Sequence, residues 1–207
     1  MKQIKLIVTI FFLLIFNGLF AQNESVEVGF FETYQDYQNN KVLNVGTFGA
    51  NDSNKVIFTK DGKNIMYPAT KITYWGFRDS RGFIWRVFQG RIYGVIEHGN
   101  IVVYARCFLK QDKKDPNEVV VDAEQVYMSN GYEGIIFGFI ENKKEALKQI
   151  ASWMQPLNKE VSEKLANDSY MLFPFNVNKA FNYIKEFNDS VAKEKLKRFN
   201  FKLKVTP

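Results

Sequence analysis

The chain has 207 residues, a formal net charge of +6, one histidine and one cysteine. Its hydrophobic fraction of 46% and charged fraction of 24% are those of an ordinary globular protein, which excludes wholesale disorder, a collagen-like repeat and a charge-dominated tail protein. Aromatic residues make up 16% of the chain. Because aromatic rings favour pleated, half-buried surfaces, this excess predicts a β-rich protein.

The N-terminus has the pattern of a secretory signal peptide. Two lysines precede an apolar run over residues 6–16, and Ala21 stands directly before the polar Gln22. The run is too short for a transmembrane helix, which needs about 20 apolar residues. We predict that residues 1–21 are a signal peptide that is cleaved after Ala21, with an uncleaved N-terminal anchor as the alternative.

Export would place the remaining chain, residues 22–207, in the periplasm or outside the cell. Position 22 is not a cysteine, so the mature protein is not expected to be a lipoprotein. No later segment could span a bilayer as a helix, and we therefore expect no transmembrane helix after signal cleavage. The single cysteine, Cys107, cannot form an intramolecular disulfide, so the fold must depend on its hydrophobic core.

Residues 22–140 carry the signals of strands and turns. The dipeptide Asp61-Gly62 separates KVIFT from KNIMY and predicts a β-hairpin, which Pro68 ends because proline has no N–H to donate. Four strand-like runs then follow at roughly ten-residue spacing, separated by short turns that close with glycine, as in an antiparallel meander. After a polar loop, VVVDAEQVYMS is a further predicted strand. Both faces of the run FIWRVF are apolar, which indicates a sandwich or a partly closed barrel.

Residues 141–198 change from a strand period to a helical one. The first helix is expected to begin at Asn142, the second to have Pro156 in its first turn, and the third to be capped by Asn178. The apolar stripe of the first helix consists of Ala146, Leu147, Ile150 and Met154.

Residues 199–205 alternate again between apolar and polar positions, which predicts a C-terminal strand with a lysine-bearing face. No internal repeat or low-complexity linker divides the chain. The sequence therefore predicts a single α+β domain over residues 22–207, in which an antiparallel β-meander, built as a sandwich or a partly closed barrel, is followed by a helical C-terminal third.

Few residues are available for catalysis or for metal binding. His98, the only histidine, lies in a predicted turn, where we expect a solvated side chain rather than a catalytic base. One His and one Cys do not supply a zinc or copper site, and Cys107 is expected to behave as a small hydrophobe. No calcium loop, phosphate-binding loop or nucleic-acid module is present in the sequence. The sequence predicts no metal, no cofactor and no nucleic-acid partner.

Paired carboxylates are the one enzymatic chemistry that the composition leaves open. A glycoside hydrolase needs two carboxyl groups at a set distance in space, which the sequence does not define. The candidates near predicted strand ends are Asp79, Glu97, Asp122, Glu124 and Glu133. Their ordinary role would be surface solvation and turn formation.

One predicted turn gathers aromatic and charged residues into a candidate binding site. Its members are Trp75, Arg78, Asp79 and Trp85. Aromatic rings can stack against a sugar ring or a partner's side chains, while the charged groups fix the orientation of the ligand. The alternative is that the rings pack in the core across strands and that Arg78 pairs with Asp79.

Several motifs resemble a family of secreted proteins of Gram-negative Bacteroidota to which no activity is assigned. These motifs are Phe-Ala-Gln at the end of the signal, W-G-F-R-D-x-x-G-x-x-W-R-V-F at 75–88, R-I-Y-G-V-I-E-x-G-x-I at 91–101 and Y-M-S at 127–129. The resemblance extends into the helical third and implies a location in the cell envelope, and it supplies no catalytic residue.

These observations favour an exported, non-catalytic binding or structural module whose partner is an unknown envelope protein or glycan. The alternative function is a histidine-independent glycan hydrolase with paired carboxylates. A binding module predicts an exposed aromatic or apolar patch, whereas a hydrolase predicts a cleft in which two carboxyl groups face one another.

Overall fold

The computed structural model of the chain describes residues 26–52, 54–115, 118–134, 137–138, 143–168, 177–193, 199 and 201–205. The predicted signal peptide, its cleavage site and the predicted cap Asn142 lie outside the described residues. The described residues form eleven β-strands, four α-helices and one 3₁₀ turn.

The elements follow the predicted order, with strands first and helices later. The strands are β1 (Gly29–Phe31), β2 (Thr47–Asn51), β3 (Lys55–Lys60), β4 (Lys63–Pro68), β5 (Gly76–Arg78), β6 (Ile84–Phe88), β7 (Arg91–Glu97), β8 (Ile101–Gln111), β9 (Val119–Asn130), β10 (Phe137–Gly138) and β11 (Lys202–Val205). The helices are α1 (Tyr34–Gln38), α2 (Lys143–Met154), α3 (Lys159–Asn167) and α4 (Val177–Val191). The 3₁₀ turn, Ala69–Lys71, follows β4.

The strands form a large sheet and a small sheet. In the large sheet the order is β1-β5-β6-β7-β8-β9-β10, and β11 pairs with β9 in the parallel direction. The consecutive strands β5 to β9 are antiparallel neighbours, which confirms the predicted meander. The small sheet has the order β2-β3-β4. With the helices in the C-terminal part, the fold is α+β, as predicted.

The predicted hairpin is confirmed as β3 and β4 of the small sheet. Asp61 and Gly62 have φ angles of 50° and 73°, the left-handed values that both central residues of a type I′ turn require. Pro68 is the last residue of β4, opposite Lys55, so the missing N–H of proline coincides with the end of the ladder.

The two faces of the large sheet have different coverings. On one face, strand residues such as Phe77 and Trp85 share a core with Phe58 of the small sheet, while Ile96 and Val103 belong to the same core as residues of the helices. The helical contribution includes Ala146, Leu147, Ile150 and Met154, all four of which are buried and confirm the predicted stripe. The opposite face carries a second, smaller apolar cluster.

Two predicted helix starts are wrong by a few residues. Pro156 lies in the turn after α2, and α3 begins later, at Lys159, because the side chain of Asn158 accepts a hydrogen bond from the Val161 N–H and caps the helix. Helix α4 already includes Val177, so Asn178 is in its first turn rather than at its cap. The predicted C-terminal strand is confirmed as β11, whose two lysines are exposed.

Candidate functional site

The face of the large sheet that points away from helices α2, α3 and α4 is lined by aromatic rings and arginines. Alternation along β6 places Ile84, Arg86 and Phe88 on this face and Trp85 on the other. We call this surface the aromatic face. It comprises Phe31, Tyr34, Tyr37, Trp75, Phe88, Tyr93, Tyr104, Tyr127 and Tyr132, together with Arg78, Arg86 and Arg106.

The short helix α1 supplies two of these rings. Thr33 and Asp36 form a capping box, in which the Thr33 hydroxyl accepts from the Asp36 N–H and the Asp36 carboxylate accepts from the Thr33 N–H. The cap fixes the direction of the helix. Tyr37 therefore stacks on Trp75 at a centroid distance of 5.0 Å, and Tyr34 stacks on Tyr132 at 4.9 Å.

His98 is held at one end of the aromatic face. Its Nδ1 forms hydrogen bonds with the hydroxyls of Tyr37, at 3.0 Å, and of Tyr132. The prediction of a solvated turn residue is wrong, because the ring is half-buried against these tyrosines. Burial raises the pKa of Tyr37 and raises that of Tyr132 well above its usual value, so both phenols stay protonated around His98.

An open pocket of about 310 Å³ lies beside His98. Its lining residues are Tyr37, Arg78, Gly82, Ile84, Val95, His98 and Phe199. Ile84 and Val95 provide an aliphatic surface, and Tyr37 and Phe199 provide rings. The polar groups are those of Arg78, His98 and the Tyr37 hydroxyl. A concavity that combines apolar surface with a few polar groups is the usual composition of a small-ligand site.

Arg78 is the permanent charge in the lining of this pocket. Its Nη2 donates to Asn40 Oδ1 at 2.7 Å, and its guanidinium lies 5.2 Å from the centre of the Phe31 ring. Burial lowers the pKa of Arg78, but an arginine remains charged at neutral pH after such a shift. The pocket therefore presents a fixed positive charge next to aromatic surface.

Arg86 lies deeper in the aromatic face, with only 4% of its surface exposed. Its Nη1 donates to the Tyr104 hydroxyl at 2.6 Å, and its guanidinium carbon lies 4.9 Å from the Phe88 ring centre and 5.8 Å from that of Trp75. No carboxylate of the described residues forms an ion pair with it. Among the described residues, the rings of Phe88, Trp75 and Tyr104 and the Tyr104 hydroxyl stabilise this buried charge.

Three buried N–H groups in the described chain have no hydrogen-bond partner, and all three lie on the aromatic face. They are Trp75 Nε1, Arg86 Nε and Arg106 Nε. Arg106 is otherwise bound by Gln125, at 3.2 Å from its Nη1, and by Glu124 at the longer distance of 4.0 Å. Since buried donors are nearly always satisfied in proteins, three on one face mark a place where a ligand could supply acceptors.

The four residues predicted to form a binding site lie on two sides of the sheet. Trp75 and Arg78 belong to the aromatic face, whereas Trp85 is in the core with the small sheet. Asp79 is fully buried, and its carboxylate accepts from Trp85 Nε1 and from two side-chain N–H groups of Arg81. The expected pairing of Arg78 with Asp79 is therefore wrong: Asp79 pairs with Arg81, and Arg78 binds Asn40.

The five candidate carboxylates are not gathered into one site. Asp79 is part of the turn before β6, and Glu97 accepts a hydrogen bond from Asn188 of helix α4. Asp122 pairs with Lys110 across β8 and β9. The remaining two are Glu124, near Arg106, and Glu133, which is exposed beyond the end of β9.

Cys107 is an unpaired thiol on the core side of β8. Burial raises its pKa to about 12, which suits the predicted role as a small hydrophobe. Within the part of the chain that the structure describes, no three His, Cys, Asp or Glu side chains are grouped as metal ligands. Nor does any of its helices have the length and apolar character needed to cross a membrane.

Comparison of the chain with protein families, with curated proteins and with solved structures gave no match. The class that the fold and the pocket define is thus an α+β domain with an arginine-bearing aromatic sheet face.

Helix α1 and its two tyrosines are the part of the site that the sequence analysis missed. The available signal was the Thr33-x-x-Asp36 capping box, which contains Tyr34 and directly precedes Tyr37. Arg106 was also missed as a member of the site. Its alternation with core residues in the predicted strand was the signal that could have placed it there.

Proposed function

We propose that the protein is an exported, non-catalytic binding module and that its ligand occupies the pocket beside His98 together with the adjoining aromatic face. The observation that carries the proposal is the pocket of about 310 Å³, which is lined by the polar side chains of Arg78, His98 and Tyr37 together with ring and aliphatic surface. This volume is at the lower end of the range of about 300–1,000 Å³ found for small-molecule sites.

The chemistry of the lining favours a ligand that has a ring and polar substituents. Tyr37 is held against Trp75 and is bonded to His98, so its ring position is fixed before any ligand arrives. A preorganised aromatic surface costs little side-chain entropy on binding, which favours stacking of a flat or puckered ring against it. Arg78 then fixes the orientation of the ligand through its charge.

The first test is capture from detergent-solubilised cell envelope, with the tagged mature protein as bait and with both proteins and glycans analysed. The variant Arg78→Gln is compared with Lys60→Gln, which removes the same charge from an exposed position in the small sheet. We expect the wild type and Lys60→Gln to enrich the same molecule and Arg78→Gln to lose it. Equal enrichment by all three proteins would contradict the placement of the ligand in this pocket.

A second test addresses catalysis. The captured molecule is incubated with the purified protein and its size is followed by mass spectrometry. Unchanged mass is the result expected of a binding module. Shortening of a glycan that is abolished by substitution of a carboxylate would instead support the alternative function of a glycan hydrolase.

Export is tested separately by fractionation of cells that make the full chain. We expect the protein in the periplasmic or extracellular fraction, with an intact mass that begins at Gln22. A cytoplasmic protein with residues 1–21 still attached would contradict the proposal.

A further inference from the structure

The relative positions of two arginines on the aromatic face follow from the pairing of the strands that carry them. Arg86 on β6 pairs with Tyr93 on β7, and the pairing of β7 with β8 begins one residue further on, at Gly94 and Ala105, which adjoin Tyr93 and Arg106. By alternation Arg86 and Arg106 lie on the same face of the sheet, two strands apart, and Tyr93 belongs to the strand between them. Adjacent paired strands are about 4.8 Å apart, so the two backbone positions are separated by at least about 10 Å.

Each of these arginines has an unused donor. Arg86 Nε and Arg106 Nε are buried and have no hydrogen-bond partner, and no carboxylate of the described residues pairs with Arg86. An arginine elsewhere in the chain shows what the Nε and Nη2 donors of a guanidinium bind together: Arg81 uses both to hold the Asp79 carboxylate. A guanidinium that keeps Nε free is suited to a carboxylate from outside the chain.

We infer that the ligand of the aromatic face is an acidic glycan whose ring carboxylates bind Arg86 and Arg106. The inference rests on the proposed binding function and adds the class of ligand to it. The carboxylates supply acceptors to the two Nε groups, and a sugar hydroxyl accepts from Trp75 Nε1. Because Arg86 is buried, access of the first carboxylate requires a side-chain rotation of Phe88, whose partly exposed ring lies 4.9 Å from the guanidinium carbon.

Two features favour a glycan over an acidic peptide. At Arg86, strand β6 is paired with β5 on one side and with β7 on the other, so a peptide has no free strand edge at this arginine at which to add itself to the sheet. Sugar rings, in contrast, bind by placing their C–H faces on aromatic rings and their hydroxyls on N–H donors. The aromatic face offers both kinds of group within one row of strands.

The test uses titration calorimetry with a panel of acidic oligosaccharides, namely oligomers of galacturonate, of alginate and of hyaluronan. Each is compared with its methyl ester, which keeps the rings and removes the charge, and with poly-L-glutamate, which keeps the charge without sugar rings. We expect at least one acidic oligosaccharide to bind about tenfold or more tightly than both its ester and poly-L-glutamate. This binding should weaken as the salt concentration rises.

Variants then assign the site. Arg106→Gln removes a partly exposed arginine, and Arg86→Lys keeps a positive charge while removing the guanidinium fork. Both are expected to weaken binding about tenfold, whereas Lys60→Gln leaves it unchanged. Should Arg86→Lys fail to fold, Arg106→Gln decides the question, since its side chain is 27% exposed.

Three outcomes would overturn the inference: no binding across the acidic panel, equal binding of an acid and its ester, or tighter binding of poly-L-glutamate. The failure of the proposed function is distinguishable from these. If envelope capture depends on Arg78 but yields a neutral molecule, the binding module stands and the acidic ligand does not.

Discussion

The side-chain amide of Asn188 pairs with both backbone polar groups of Ile101. Its Oδ1 accepts from the Ile101 N–H at 3.0 Å, and its Nδ2 donates to the Ile101 carbonyl at 2.8 Å. The same Nδ2 also lies 3.0 Å from the carbonyl oxygen of His98. A residue of helix α4 therefore holds the turn between β7 and β8, and with it the histidine that borders the pocket.

Asn188→Ala should lower the free energy of unfolding by about 2–4 kcal/mol, because it removes several hydrogen bonds at a fully buried position. Urea titration followed by circular dichroism measures the change. Asn182→Ala, an exposed position on the same helix, is the matched control and should change stability by no more than about 0.5 kcal/mol. Equal effects of the two variants would contradict the role of Asn188.

Gly99→Ala should be at least as damaging, at about 3 kcal/mol. Gly99 has a φ of +139°, and a Cβ atom added there would lie 2.5 Å from the Cγ of Asn188. Gly131→Ala is the comparison, since Gly131 has a φ of +73° and nothing within 4 Å of an added Cβ. That variant should cost only about 1 kcal/mol in the same unfolding experiment. A cost at Gly99 no larger than at Gly131 would show that the turn can rearrange.

Asp79→Asn should destabilise the protein by about 2–4 kcal/mol at neutral pH. The carboxylate accepts from the backbone N–H groups of Arg81 and Phe83 and from the side chains of Arg81 and Trp85, and an amide replaces one acceptor oxygen with a donor. Asp61→Asn is the control, because asparagine also adopts the left-handed conformation of that turn. An unfolding midpoint equal to that of the control would contradict this account.

Stability should fall at alkaline pH because of the tyrosines on the aromatic face. Burial raises the pKa of Tyr37, Tyr104 and Tyr132 above the value of 10.0 for an exposed tyrosine. The folded state then holds these protons more tightly than the unfolded state does. Their contribution is fully present below pH 10 and is lost as the pH rises through the folded-state pKa values.

Urea midpoints measured from pH 8 to pH 11, together with tyrosinate absorbance, test this sign. In Tyr132→Phe the urea midpoint should decline less steeply at alkaline pH, because this variant has one buried phenol fewer to ionise. Two results together would contradict the burial of these phenols. The urea midpoint would not change between pH 8 and pH 11, and the tyrosinate absorbance of the folded protein would rise at the pH expected of exposed tyrosines.

Cys107 should react with thiol reagents much more slowly in the folded protein than in the unfolded protein. With a pKa of about 12, the thiolate fraction at pH 8 is on the order of one in ten thousand. The rate of labelling by a maleimide should therefore rise with urea along the unfolding curve, and protein unfolded in urea is the positive control. Native protein that reacts as fast as a free thiol would place Cys107 on the surface instead.

Much of the fold was predictable because its signals are local. The turn dipeptide Asp61-Gly62, the alternation around Trp85 and the helical stripe ending at Met154 each specify one element and one buried face. Helix α1 is the exception: five residues give too short a period to recognise, and its cap was the only signal.

The candidate site was only half predictable because it depends on contacts between distant parts of the chain. Arg78 and Asp79 are neighbours in sequence, yet Arg78 ends strand β5 and lines the pocket, whereas Asp79 begins the turn before β6 and is fully buried. The bond between Tyr37 and His98 joins residues 61 positions apart. Periodicity indicates which side chains share a face, and it does not indicate which distant helix will cover that face.

The C-terminal strand protects the outer side of β9. That strand is twelve residues long, and its outer side is paired with β10 at Tyr127 and Met128 and with β11 from Val120 to Ala123. Without β11, a run of valines with unpaired backbone groups would be open to strands of other copies of the chain, which is the usual route to aggregation. Strand β11 thus protects the protein against self-association through β9, independently of any ligand that the protein binds.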